Sequence, residues 1–161
     1  MTKRVYMIEE ALRRINTTKE EKLHYLDLRS LDLDEIPHEI LSIPWIGALS
    51  LSNNNISDIS LLTQMENIHK LALTNNRITD ISALESMHKL RFIFLGDNSV
   101  EDISALKAQE RLKKLVLNNN QISQLPDLSP FSLLAYLDVI GNPITLPTQD
   151  TIKKMLPLLK I

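Results

Sequence analysis

Apolar residues recur along this chain in a fixed frame that is neither a simple helical nor a simple strand period. The segment Ile68-His-Lys-Leu71-Ala-Leu73-Thr-Asn-Asn76-Arg-Ile78 reads as apolar, two variable, apolar, one variable, apolar, two variable, Asn, one variable, apolar. The frame returns at Ile46/Leu49/Leu51/Asn54/Ile56, Leu90/Ile93/Leu95/Asn98/Val100, Leu112/Leu115/Leu117/Asn120/Ile122 and Leu134/Leu137/Val139/Asn142/Ile144. An opening copy, Leu23/Leu26/Leu28/Leu31/Leu33, carries Leu in place of Asn. The first positions are 23, 46, 68, 90, 112 and 134, a step of 23 followed by four of 22. Self-similarity at such a period predicts a solenoid. Within each copy the central residues alternate apolar and variable, which predicts a strand with one buried face. Parallel strands of successive coils would stack about 4.8 Å apart, each coil burying its apolar residues against its neighbours. The Asn column, Asn54, Asn76, Asn98, Asn120 and Asn142, falls where the chain leaves the strand. An amide there can bond backbone groups of the adjacent turn and form a ladder, so these residues read as scaffold.

These residues resemble the leucine-rich-repeat frame L-x-x-L-x-L-x-x-N-x-L. Asp58-Ile59-Ser60, Asp80-Ile81-Ser82 and Asp102-Ile103-Ser104 continue the pattern, with Leu62, Leu84 and Leu106 after them, and Met65 and Met87 three residues beyond the first two. This continuation resembles the 22-residue class found in the phosphatase-regulatory leucine-rich protein, axonemal dynein light chain 1 and bacterial internalins. The resemblance covers residues 22–147. It implies an α/β solenoid: a right-handed superhelix with a parallel concave β-sheet of six or seven short strands, loops and short 3-10 turns on the convex side, and helical caps at both ends. On that reading the chain is a single domain, with a cap over 1–21, six repeats over 22–147 and a second cap over 148–161.

A solenoid exposes apolar surface at its ends and needs such caps. In residues 4–16, Val5, Ile8, Leu12 and Ile15 recur at helical spacing, which predicts a helix lying over the first coil. A partner-binding or membrane-surface helix is the alternative, and Glu9 and Glu10 speak against the membrane. Thr148 to Leu156 reads as a short helix with Thr148 as N-cap, an apolar side of Ile152, Met155 and Leu156, and Pro157 as its stop. Leu158–Ile161 has room for a last partial strand.

Composition removes several function classes. The chain has 161 residues, enough for one domain, with 43% hydrophobic and 24% charged residues. Its formal net charge of −2 carries no signature of a polyanion partner, so nucleic acid is not expected. Cysteine is absent, which excludes thiolate metal sites, redox chemistry and disulfides and fits a reducing, cytoplasmic location. The first residues lack the apolar stretch of a secretory signal, and no run is long enough to span a membrane. His24, His38, His69 and His88 fall at different points of different coils; His24 and His69 share a column but lie two rungs apart, roughly 10 Å, too far for one metal ion. Three glycines leave no phosphate-cradling loop. The regular column Asp58, Asp80, Asp102 suggests calcium less readily than turn capping by short acidic side chains. No catalytic constellation, cofactor site or metal site emerges, and a non-enzymatic protein is expected.

Information must then sit in the variable strand positions. Alternation puts three columns on the concave face: Tyr25, Ala48, Lys70, Phe92, Lys114, Tyr136; Asp27, Ser50, Ala72, Phe94, Val116, Asp138; and Arg29, Ser52, Thr74, Gly96, Asn118, Ile140. Turning Phe92 and Phe94 inward would expose Ile93 and Leu95 and break the frame, so both are expected to face outward. With Val116, Tyr136 and Ile140 beside them, and Lys70, Lys114, Asp97 and Asp138 around them, they form an apolar patch with a charged rim, the anatomy of a protein-binding hot spot. The expected partner is a protein or peptide, held towards the C-terminal half, with Gly96 and Gly141 leaving room for close approach. A homodimer contact, or local packing of Phe92 on Phe94, are the alternatives. Phe131 aligns with Met65 and Met87 and is expected in the core; Trp45, just before the second copy, is expected half-exposed in a capping role.

Overall fold

The computed structural model describes residues 3–144, so the predicted C-terminal cap at 148–161, including Leu158–Ile161, lies outside the described residues. The chain begins with helix α1 (Lys3–Glu20) and continues through six strands: β1 (Tyr25–Asp27), β2 (Ala48–Ser50), β3 (Lys70–Ala72), β4 (Phe92–Phe94), β5 (Lys114–Val116) and β6 (Tyr136–Asp138). They form one sheet in the order β1-β2-β3-β4-β5-β6, every neighbour parallel. The register pairs Leu26, Leu49, Leu71, Ile93, Leu115 and Leu137 in sequence, so equal repeat positions stand side by side. Short 3-10 turns at His38–Ser42, Ser60–Gln64, Ser82–Ser86 and Ser104–Ala108 cross the convex side. This is the solenoid that the repeat frame predicts.

The strands are three residues long because each coil must turn at once, and the frame residues supply the cohesion. Leu28, Leu51, Leu73, Leu95 and Leu117 are fully buried, as are Ile40, Leu62, Leu84 and Leu106 from the convex turns. Each such side chain stabilises the fold by about 1.5–3 kcal/mol relative to exposure. Met65, Met87 and Phe131 form a further buried column. Gln109 stands in that column between Met87 and Phe131 and is fully buried. Its Nε2 donates to Leu84 O at 2.6 Å, while its Oε1 has no partner.

The Asn column forms the expected ladder. Asn98 Nδ2 donates to Leu73 O at 2.9 Å and Leu95 O at 3.1 Å, and its Oδ1 accepts from Ile78 N at 3.0 Å. Asn54, Asn76, Asn120 and Asn142 repeat this pattern, each tying its own coil to the preceding one. Leu31 takes the ladder position in the first coil, where no earlier coil offers a carbonyl or an N–H and a buried amide would lack those inter-coil bonds.

A second column precedes this ladder. Ser30, Asn53, Asn75, Asp97, Asn119 and Gly141 all have left-handed backbones, with φ of 57°, 59°, 55°, 56°, 53° and 75°. That conformation costs an ordinary residue about 1–2 kcal/mol and is easiest for Gly, Asn and Asp. This accounts for the doubled Asn-Asn of three repeats, a signal that the frame alone does not explain. The acidic column caps the 3-10 turns: Ser60, Ser82 and Ser104 each donate a backbone N–H to Asp58, Asp80 and Asp102 Oδ1 at 2.8 Å. These bonds hold the carboxyls of Asp58 and Asp102 below the usual range. The last crossover breaks the pattern, because Pro126 stands where the others have Ser60, Ser82 and Ser104 and offers no N–H. Asp127 instead accepts from Ser129 N at 2.9 Å, three residues later.

Helix α1 corrects one expectation. Its buried residues are Ala11, Ile15 and Thr18, with Met7 partly covered, whereas Val5 and Ile8 are each 44% exposed. The seam against the first coil is therefore 7/11/15/18, not 5/8/12/15, and the helix runs on to Glu20. Ile8 and Leu12 face a shallow groove against the segment 32–39 instead of the core. Arg13 and Arg14 both bond Glu10, at 2.7 Å each, and Arg14 also reaches Asp27 O at 3.0 Å, tying the cap to β1. Trp45 is half-buried, its indole N–H donating to Leu23 O at 3.0 Å.

Candidate protein-binding face

The sheet register makes the concave columns physical. Tyr25, Ala48, Lys70, Phe92, Lys114 and Tyr136 are consecutive neighbours, as are Asp27, Ser50, Ala72, Phe94, Val116 and Asp138. Ile93 and Leu95 are fully buried, so Phe92 and Phe94 point to the other face. They are half-buried there, shielded on both sides by the neighbouring rungs. Tyr136 and Ile140 stand further out, at 44% and 77% exposure.

Lys114 organises the patch. Its ammonium lies 5.5 Å from the Phe94 ring centroid and 4.2 Å from that of Tyr136, bridging the two rings across β4, β5 and β6. Such contacts contribute about 0.5–1 kcal/mol at exposed sites. Lys114 therefore belongs within the aromatic cluster and not merely to its rim. Asp97 faces the strand exit, where its Oδ1 accepts from Asn119 Nδ2 at 2.7 Å. Asp138 Oδ1 accepts from Ile140 N at 3.1 Å, which fixes the loop that presents Ile140. At the other end of the sheet Asp27 does the same for Arg29 N at 3.0 Å, and also pairs with the Arg29 guanidinium at 2.7 Å. That guanidinium holds the Asp27 carboxyl below its ordinary range.

A hollow of about 620 Å³ lies over the N-terminal half of the face. Its floor is Ala48, Ser50 and Ala72, and Tyr25 and Phe94 stand on either side. Lys70 and Phe94 line it, whereas Phe92, Val116, Tyr136, Ile140, Lys114, Asp97 and Asp138 do not. The sequence-predicted residues thus form two neighbouring features joined at Phe94: a raised cluster over β4–β6 and a hollow over β1–β3. The smallness of Ala48, Ser50 and Ala72 was the available signal for the hollow. Asp27, Arg29, Ser52, Asn53 and Thr74 also line it. The room expected at Gly96 and Gly141 is already filled. A Cβ on Gly96 would lie 2.2 Å from Asn118 Oδ1, and one on Gly141 2.2 Å from Asn119 Oδ1. Side chains of the neighbouring coil occupy that space, and Gly96 is buried beneath one of them.

Among the described residues, no three His, Asp or Glu groups gather as metal ligands. The His69 ring lies over Gly47 of the preceding coil, within 2.6 Å of where a Cβ would be, so that column is packed by its own side chains. This arrangement is a shaped, mixed polar and apolar surface on a rigid sheet.

The architecture is that of a repeat solenoid with a variable concave face. The family described as leucine rich repeats (2 copies) matches residues 48–86, 66–108 and 88–130. These stretches together cover more than half of the chain, which therefore belongs to the leucine-rich-repeat family. No curated protein matches the sequence. An internalin from Listeria monocytogenes is structurally similar with a TM-score of 0.72 and 27% identity, over 80% of this chain and 37% of its own. A leucine-rich-repeat protein of Leptospira interrogans gives 0.71 and 27%, over 80% of this chain and 34% of its own. Internalin C2 of Listeria monocytogenes gives 0.68 and 28%, over 72% and 51% respectively. The chain thus spans about a third to a half of the length of these proteins. The leucine-rich-repeat fold is in general a module for binding other proteins.

Proposed function

We propose that this chain is a non-enzymatic scaffold that binds a protein or peptide on its concave face, centred on Phe94. One observation carries the reading. The buried frame residues meet the demands of stability on β4, yet the same strand presents two phenylalanines to the other face, where they are only half-covered. Large apolar side chains left part-exposed beside Tyr136 and Ile140 are what a binding hot spot needs, an anchor that a partner can finish burying. Phe94 also stands between the raised cluster and the hollow, so one side chain contacts an occupant of either.

The test is Phe94→Asp. Affinity-captured partners are expected to be lost, a change of about 2 kcal/mol or more in binding. The thermal transition should fall modestly and stay cooperative, because the side chain is only part-buried and outside the core, and loses its Lys114 contact. A variant that unfolds would place Phe94 in the core and end this reading. Sedimentation of the isolated chain at several concentrations separates the alternative: a concentration-dependent dimer that Phe94→Asp converts to monomer would make the partner a second copy.

A further inference from the structure

The formal net charge of −2 conceals a transverse separation. The rim where the chain approaches the strands carries Lys70, Lys89, Arg91, Arg111, Lys113 and Lys114, against Glu66 and Glu110. Downstream of the strands the charge is acidic: Asp97 at the strand exit, then Glu101, with Asp58, Asp80, Asp102 and Asp127 on the crossovers, against Arg77 and the Asp27-paired Arg29. The basic rim is contiguous. Arg91 N bonds His69 O and Lys113 N bonds Arg91 O, each at 2.8 Å, so His69, Arg91 and Lys113 occupy successive rungs beside Lys70, Phe92 and Lys114.

Stability explains the acidic residues better than the basic rim. Asp58, Asp80 and Asp102 cap the 3-10 turns. The cations at 70, 91, 113 and 114 lie beyond the ends of those turns at Gln64, Ser86 and Ala108, outside the one-turn reach of a helix-end charge effect. Among the described residues none of the six pairs with a carboxylate. Arg91 and Lys113 set like charges on adjacent rungs, which destabilises a sheet. Lys114 gains its ring contacts and Lys89 a bond to Asn67 Oδ1 at 2.6 Å, but Lys70, Arg91, Arg111 and Lys113 have no ion pair to offset their mutual repulsion.

We infer that the basic rim, together with the aromatic floor beside it, recognises an acidic extended segment of a partner protein. The segment would run along the solenoid axis, with carboxylates against Arg91, Lys113 and Lys70 and an apolar side chain against Phe92 and Phe94. Asp97, at the strand exit, repels the far side of such a segment if it too is acidic, so charge directs orientation as well as attraction. A polynucleotide fits less well: it carries phosphate along its whole length and would meet Asp97 and Asp138 beside the aromatic cluster. This inference rests on the concave-face reading above for its location, and adds the chemistry of the occupant.

The experiment is fluorescence anisotropy near physiological salt with three short fluorescein-labelled peptides, in which Glu, Gln or Lys flanks one Phe. Proteins are the wild type, Arg91→Glu/Lys113→Glu and Phe94→Asp, each checked by its thermal transition. Arg91→Gln/Lys113→Gln replaces the charge-reversed protein if that fails to fold. The Glu peptide is expected to bind about tenfold or more tighter than the Gln peptide, and rim reversal to abolish that preference. Equal binding of the Glu and Gln peptides, no binding at millimolar concentration, or a preference for the Lys peptide overturns the proposal. Tighter binding of a short oligo-dT overturns it in favour of nucleic acid. The two readings separate cleanly. Loss of the Glu peptide in the rim variant but not in Phe94→Asp retains the rim and rejects the aromatic centre; the converse retains the centre and rejects the rim.

Discussion

In β1–β3 the central concave column reads Asp27, Ser50, Ala72; in β4–β6 it reads Phe94, Val116, Asp138. The first half is hollow and floored by small side chains, and the second is raised and filled by the Phe94–Lys114–Tyr136 stack. Beneath both the scaffold is the same, with one register, one Asn ladder and one set of buried Leu and Ile columns. The contrast shows where each kind of information resides. Cohesion belongs to the buried side of each strand and to the amides at its end, so the open side is free to vary from coil to coil without a structural penalty.

The largest expected effect removes the common scaffold where the halves meet. Asn98→Ala leaves Ile78 N without its acceptor, and takes from Leu73 O and Leu95 O one of two amide donors, Asn76 and Asn120 supplying the other. At about 1–3 kcal/mol for the one orphaned buried donor, with two weakened acceptors beside it, the loss should be about 2–3 kcal/mol in urea denaturation. A loss below about 1 kcal/mol would mean that the ladder does not join the two halves. Next comes Phe94→Asp, a large loss in binding with a modest change in stability.

A smaller effect of opposite sign is expected at Gln109. Gln109→Met matches the Met65 and Met87 positions at similar volume and removes a buried oxygen that has no partner. The gain should be about 1 kcal/mol, since the lost Leu84 bond offsets part of the relief. A destabilised variant would show that the Leu84 bond outweighs the orphan. Lys114→Met tests the raised half alone, with an expected loss of about 0.5–1 kcal/mol in the same assay and no effect on the hollow.

The smallest effect lies at the other end. Bonds from Arg13 and Arg14 hold the Glu10 carboxyl down to about 2, against an ordinary 4.5. Its folded value is lowered, so its contribution is fully present above pH 4.5 and is lost as pH falls towards 2. Melting temperature followed between pH 5 and pH 2 should decline less steeply in Glu10→Gln than in the wild type. Parallel declines would mean that the Glu10 pairing does not couple the cap to the sheet.

Much of this was legible because an in-phase parallel register converts a linear step of 22 residues into lateral columns. Strand positions, the face of Phe92 and Phe94, the ladder, the Asp caps and the core place of Phe131 all follow from that conversion. The helix seam did not follow, because Val5/Ile8/Leu12/Ile15 and Met7/Ala11/Ile15/Thr18 are both acceptable stripes sharing Ile15. Only docking against the first coil chooses between them. The space at Gly96 was misread for a related reason: a glycine removes its own side chain but does not prevent Asn118 of the next coil from lying over it.

The sequence by itself determined the coil, its register and which side chains each strand turns outward, since these depend on spacing, and spacing is one-dimensional. The tertiary structure alone decided how high those side chains stand. Lys114 bridges Phe94 and Tyr136 because its neighbours on the two adjoining rungs are rings, and the hollow exists because two adjacent coils are small at once. Both depend on contacts between residues 20 or more positions apart, where packing and rotamer choice, not local preference, set the outcome.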